Sequence, residues 1–107
     1  MTLTDEQLAS RLTQLTRDLV LIESTDSKPD ERRRCFQLLR NHLDGLPNLR
    51  LESLECGGYE ALVALPEGIA EPEVLFCGHL DVVEHPEPDS YRSTMENGRI
   101  YGPGTGA

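Results

Sequence analysis

Residues 74–83 read VLFCGHLDVV, and this stretch decides the fold that the sequence predicts. Residues 73–77 form a short, nearly unbroken apolar run, which is typical of a β-strand that is buried on both faces. Gly78 follows, and a glycine at this point lets the backbone turn or approach another segment closely. The sequence therefore predicts a buried strand that ends at Cys77 and leads directly into a polar pair.

The polar pair consists of His79 and Asp81, which stand two residues apart. In an extended segment, side chains at this spacing project to the same side. Ligands of open α/β sheets gather at the carboxyl ends of the strands, and a metal-bound histidine is usually oriented by a carboxylate or carbonyl behind it. His79 is thus a candidate metal ligand, and Asp81 is its candidate partner. On this spacing alone, a histidine after a strand is more often an edge residue that only forms hydrogen bonds than a metal ligand.

Two helices are predicted ahead of this strand. Thr4 followed by Gln7 fits a capping box, so the first helix is expected over about residues 4–23. Residues 24–29 read as a loop, and Pro29 suits the first turn of a second helix. The buried stripe of the first helix is expected at Leu8, Leu12, Leu15 and Leu19, and that of the second at Cys35, Leu38, Leu39 and Leu43.

Strand and turn signals follow the helices. Weak alternation predicts a strand over residues 49–56, Gly57-Gly58 a turn, and residues 59–65 a second strand. Residues 66–72 read as a loop. Asn97-Gly98 is a strong hairpin signal, flanked by short strands at residues 93–96 and 99–101. The order predicts an α/β or α+β chain in which two N-terminal helices precede the strands of a layered sheet.

Composition and charge narrow the classes of function. With 107 residues, 37% of them hydrophobic and 27% charged, the chain suits one small globular domain or part of a larger one. The net charge of −9 repels phosphate backbones and anionic lipids, so we expect neither nucleic acid nor membrane as a partner. The N-terminus lacks a secretory pattern and the three cysteines form no Cys-x-x-Cys pair, which predicts reduced thiols in the cytoplasm.

A second motif stands about twenty residues after the first. Residues 97–104 read NGRIYGPG, and with the apolar strand and the Gly-His-x-Asp-Val-Val of residues 78–83 they resemble the co-catalytic zinc amidohydrolase and peptidase family. This family includes acetylornithine deacetylase, succinyl-diaminopimelate desuccinylase, aminoacylase and the glutamate-releasing carboxypeptidases. The helix-loop-helix opening around residues 24–31 is also similar, so the resemblance covers essentially the whole chain. It implies that residues 1–107 are the N-terminal part of a zinc-peptidase-like catalytic domain, without a second domain.

The resemblance also implies site residues and a chemistry. His79 matches the first zinc ligand, and Asp81 matches the catalytic carboxylate that orients this histidine. Gly102 and Gly104 match glycines whose role is backbone freedom in the loop that delivers the next ligand. The complete enzymes of the family use two zinc ions and a glutamate base to hydrolyse amide bonds. The implied substrate is a small N-acyl amino acid or a short peptide with a free carboxylate.

The match breaks at Ala107, where the family has an aspartate that bridges both metal ions. The remaining ligands of the family would lie downstream, and His42 and His85 are interpreted as surface or packing residues. We therefore expect the 107-residue chain by itself to be inactive and to bind zinc weakly or not at all. The alternative hypothesis is a non-catalytic interaction module that self-associates into a homo-oligomer through open sheet edges.

Overall fold

A computed structural model describes residues 2–87 and 91–105 of the chain. Within these residues it contains two helices and two small antiparallel sheets, which confirms the mixed α/β class in its coarse form. Neither described helix is long and apolar enough to cross a membrane. The helices are α1 (Asp5–Val20) and α2 (Pro29–Asp44), and the strands are β1 (Leu49–Cys56), β2 (Tyr59–Pro66), β3 (Thr94–Glu96) and β4 (Arg99–Tyr101).

Helix α1 begins at its predicted cap and ends earlier than predicted. The Thr4 N–H donates to Gln7 Oε1 at 2.9 Å, and the Gln7 N–H donates to Thr4 Oγ1 at 3.1 Å, so the capping box is confirmed. The helix stops at Val20 instead of Glu23. Its predicted apolar stripe is only partly covered, because Leu8 and Leu12 are about half exposed.

Both predicted hairpins are confirmed. Strands β1 and β2 pair antiparallel around Gly57 and Gly58, which adopt φ values of +60° and +87°. Strands β3 and β4 pair around Asn97 and Gly98, at φ values of +52° and +75°. Two-residue turns with positive φ at both positions match the right-handed twist of the strands they connect, which explains why Asn-Gly and Gly-Gly are found there.

The small core lies where the end of α1, the loop after it and α2 meet. The buried residues are Val20, Ile22, Ser24, Thr25 and Cys35. The β1–β2 hairpin contacts α2 at its polar side, since the Arg32 guanidinium stacks over the Tyr59 ring at 4.7 Å and Arg40 pairs with Glu60 at 3.7 Å. This core holds the segment that contains the candidate site.

The predicted buried strand over residues 73–77 is wrong. Among the described residues this segment joins neither sheet, and Val74, Leu75 and Phe76 are 67%, 84% and 93% exposed. A strand needs a ladder partner for its N–H and C=O groups. The described chain places none beside this run, and therefore a layered sheet does not form around it.

Thiol reactivity provides a direct check on this correction. Cys77 and Cys56 are exposed whereas Cys35 is buried, and burial raises the pKa of the Cys35 thiol, with the nearby Ser24 side chain offsetting part of this rise. Because the thiolate is the reactive form, iodoacetamide under native conditions should modify Cys56 and Cys77 rapidly and Cys35 much more slowly. Peptide mass spectrometry over time measures the three rates. If Cys77 is modified as slowly as Cys35, the prediction of a buried strand over residues 73–77 would be correct after all.

Candidate functional site

His79 and Asp81 approach each other as their spacing predicts. The two side chains come within 3.3 Å, measured from His79 Nδ1 to Asp81 Oδ1, and Nδ1 also lies 3.0 Å from the Asp81 carbonyl oxygen. A carbonyl oxygen can only accept, so the contact assigns the proton of the neutral ring to Nδ1. The contacts of His79 with the other described residues use Nδ1, which leaves the lone pair of Nε2 available to a metal ion.

The pair is open to solvent. The side chains of His79 and Asp81 are 62% and 69% exposed. Water competes for both groups at such exposure, and an exposed ion pair contributes about 0–1 kcal/mol. The contact between the two side chains is therefore too weak to fix the imidazole by itself, and its geometry must come from the backbone that carries it.

That backbone is attached to the loop after α1. The Ser24 hydroxyl donates to the Leu80 carbonyl oxygen at 2.8 Å, and the Val82 N–H donates to the Ser24 carbonyl oxygen at 3.0 Å. Ser24 itself is only 2% exposed. The loop that follows α1 thus anchors the segment that carries His79 and Asp81.

The loop around Gly102 and Gly104 completes the surroundings of the pair. A Cβ atom at Gly102 would overlap Val20 Cγ1 and stand 2.8 Å from the Arg92 carbonyl oxygen. Gly104 adopts a φ of +84°, and a Cβ atom there would stand 2.7 Å from Val82 Cγ1. Both positions favour glycine, Gly104 because of its positive φ and Gly102 because the loop backbone approaches α1 closely. The backbone freedom that the resemblance implies is therefore found at Gly104, whereas Gly102 is needed for space.

These segments enclose a shallow cavity of about 130 Å³ beside His79 and Asp81, bordered also by Thr16, Ser24 and Thr105. A water molecule in the liquid occupies about 30 Å³, so the cavity could take an ion with a few waters. Pockets for organic ligands measure roughly 300–1,000 Å³. The cavity beside His79 and Asp81 therefore has the size for an inorganic ion with a few waters and is smaller than a usual pocket for an organic ligand.

The other sequence candidates lie elsewhere. His42 is half-buried and lines a separate, open groove between α1 and α2, beside Leu15 and Leu38. His85 is exposed, and its Nδ1 accepts a 3.4 Å bond from the Glu87 N–H. Among residues 2–87 and 91–105, no three His, Cys, Asp or Glu side chains group together as a metal site. Ala107, the position of the expected bridging aspartate, lies outside the described residues.

Sequence reasoning missed Ser24, because its contacts join residues that are 56 or more positions apart. The only local signal is that the polar Ser24-Thr25 pair follows directly after the apolar periodicity of the first helix, and this pattern does not indicate that the pair is buried.

Comparison of the chain with protein families, with curated proteins and with solved structures returns no match. The function of the chain must therefore be inferred from the residues themselves and from the resemblance of their motifs.

Proposed function

We propose that this chain contributes the first metal ligand of a zinc-dependent amide hydrolase that acts on N-acyl amino acids or short peptides. The observation that carries the proposal is the His79 ring, whose Nδ1 faces Asp81 and whose Nε2 is left for a metal. Metal-bound histidines characteristically donate the other ring N–H to a carboxylate or carbonyl. Asp81 offers both acceptors to the same nitrogen.

The donor set fits one coordination position of a zinc ion. His79 Nε2 would hold the metal, and Asp81, by accepting the Nδ1 proton, would raise the basicity of the ring. Zinc, when bound, would lower the pKa of a water and polarise the amide carbonyl. A catalytic zinc has three protein ligands, so further donors would have to come from outside the described residues. His79 would hold the metal and Asp81 would orient the His79 ring. Neither residue would take any other part in catalysis.

A zinc titration followed by NMR tests the ligand assignment. The three histidines of the chain act as internal references for one another. Because only His79 combines an oriented ring with a free Nε2, its ring signals should shift first as Zn²⁺ is added, at concentrations well above those of complete zinc sites. His79→Ala should abolish the earliest shift, and His42→Ala should leave it unchanged. Saturation of His42 or His85 before His79 would overturn the assignment.

A second candidate function, an interaction module that associates with a second copy of the chain, is supported by the exposed surface. The chain exposes 8349 Å² and has a radius of gyration of 15.3 Å. A compact monomer of 11.9 kDa would expose about 6,000 Å², with a radius of about 13 Å. The exposed area above that of a compact monomer is larger than the roughly 800 Å² that each partner contributes to a standard interface.

The two candidates make different demands on the gene. The enzyme hypothesis requires further metal ligands beside His79, for example from an Asp-Met-Lys-Gly stretch encoded in frame or shifted by one base. The module hypothesis requires only a surface that pairs with a second copy. Sequencing of the genomic DNA directly downstream separates the two.

A further inference from the structure

We propose that Ser24 is a positioning residue that locks the His79-Leu80-Asp81 segment in the geometry a metal would need. That this geometry serves metal binding rests on the proposed function. That Ser24 fixes the backbone of the segment does not, and it can be tested without a metal. The two motifs that point to His79 and Asp81 lie at residues 74–83 and 97–104, and Ser24 belongs to neither of them. It belongs to a loop that precedes His79 by more than fifty residues.

The contacts of Ser24 bracket the pair. Its hydroxyl donates to the carbonyl oxygen of Leu80, the residue between His79 and Asp81, at 2.8 Å. Its own carbonyl oxygen accepts from the N–H of Val82, the residue after Asp81, at 3.0 Å. Two hydrogen bonds from one residue thus fix the peptide units on either side of Asp81. This arrangement limits rotation of the segment about its own axis, and that rotation would separate the two side chains.

The burial of Ser24 makes its hydroxyl bond difficult to replace. Ser24 is 2% exposed, and its neighbour Thr25 and the Cys35 side chain are both 1% exposed. The bond to the Leu80 carbonyl oxygen is partly buried, so loss of the hydroxyl removes a donor that water replaces only incompletely. The bond therefore favours one position of the site segment over others.

The site segment depends on this anchor because, apart from the close approach of the Gly104 backbone to Val82, the other contacts that could fix it are absent or weak among the described residues. Residues 79–82 belong to neither sheet of the described chain, so no ladder holds them. The contact between His79 and Asp81 is exposed on both sides and contributes little. Ser24 is the residue through which a buried part of the molecule reaches the peptide between them.

NMR on the metal-free chain at pH 8 tests the proposal. In the wild type, the neutral His79 ring should carry its proton on Nδ1, and the Val82 amide should exchange more slowly than the Val83 amide. Ser24→Ala keeps the backbone carbonyl that accepts from the Val82 N–H, but it removes the hydroxyl bond to the Leu80 carbonyl oxygen. Loss of a bond worth about 1 kcal/mol should let the segment open more often and speed exchange of the Val82 amide by about fivefold. The same variant should move the His79 proton from Nδ1 to Nε2, because the ring tautomer follows the hydrogen bond that its other nitrogen makes.

Thr25→Val is the matched control, because it removes a neighbouring buried hydroxyl whose only described contact is Ser27 Oγ at 3.4 Å. It should leave both the tautomer and the Val82 exchange rate unchanged. Equal effects of Ser24→Ala and Thr25→Val would show general loosening and overturn the proposal. If Ser24→Ala fails to fold, Ser24→Cys, which keeps the volume with a weaker donor, replaces it. Wild-type exchange of Val82 as fast as that of Val83 overturns the proposal without any variant.

The zinc titration keeps the two proposals apart. Suppose that the wild-type His79 signals fail to shift with Zn²⁺ while Ser24→Ala still changes the tautomer and the Val82 exchange rate. In that case the zinc function is wrong and the positioning role of Ser24 is supported. If His79 binds Zn²⁺ equally well in the wild type and in Ser24→Ala, with an unchanged tautomer, the positioning role fails and the zinc function stands.

Discussion

Gly102→Ala is expected to lower the free energy of unfolding by about 3 kcal/mol, near the upper end of the usual cost of overpacking. The added methyl group would overlap Val20 Cγ1 and stand 2.8 Å from the Arg92 carbonyl oxygen. Val20 is 6% exposed and lies in the last turn of α1, so it has little room to move. The carbonyl oxygen belongs to the backbone and cannot be relieved by a change of rotamer.

Urea unfolding followed by circular dichroism measures this loss, and Gly78→Ala is its matched control. Gly78 also lies in the site region, but a Cβ atom there would meet nothing within 4 Å, and its φ is not positive. Its replacement should change stability by less than about 1 kcal/mol, with a small gain from reduced freedom of the unfolded chain. Equal midpoints for the two variants would mean that the loop at Gly102 does not pack on α1.

The features that sequence predicted correctly are local. The α1 start depends on two side chains three residues apart, Thr4 and Gln7, which satisfy each other's backbone N–H groups. Each hairpin depends on two adjacent residues that tolerate positive φ, as Asn97 and Gly98 do. His79 and Asp81 meet because they are only two positions apart in the sequence. In each case the information lies within about four residues.

Besides the end of α1, the sequence predicted one feature wrongly, the buried strand over residues 73–77, and this feature is not local. An apolar run such as residues 73–77 indicates burial, but burial requires a partner that the run itself does not specify. In the described chain no strand lies beside it, and Phe76 is 93% exposed. The same reason applies to α1, where the leucine periodicity is correct and Leu8 and Leu12 nevertheless stay half exposed. Ser24 was missed because its partners Leu80 and Val82 are distant in the sequence.

The exposed run gives the second large prediction, which concerns association of the chain with itself. If residues 74–76 form the contact between two copies, Phe76→Asp should weaken the dimer at least about 30-fold, as expected for loss of a central aromatic anchor worth about 2 kcal/mol or more. Sedimentation velocity over a range of concentrations measures the effect. Ile69→Asp is the matched control, because it adds the same charge at an apolar side chain that is only 51% exposed and lies outside the run.

Salt provides an independent test of the same contact. Each copy carries a net charge of −9, so two copies repel each other. Raising the ionic strength from about 0.1 M to about 1 M shortens the screening length from about 10 Å to about 3 Å and should strengthen an apolar dimer. An interface held by ion pairs would weaken instead. If the wild-type chain stays a monomer of 11.9 kDa at every concentration and salt level, it is not a self-associating module. If Ile69→Asp weakens the dimer as much as Phe76→Asp does, the effect is due to the added charge and not to the apolar run.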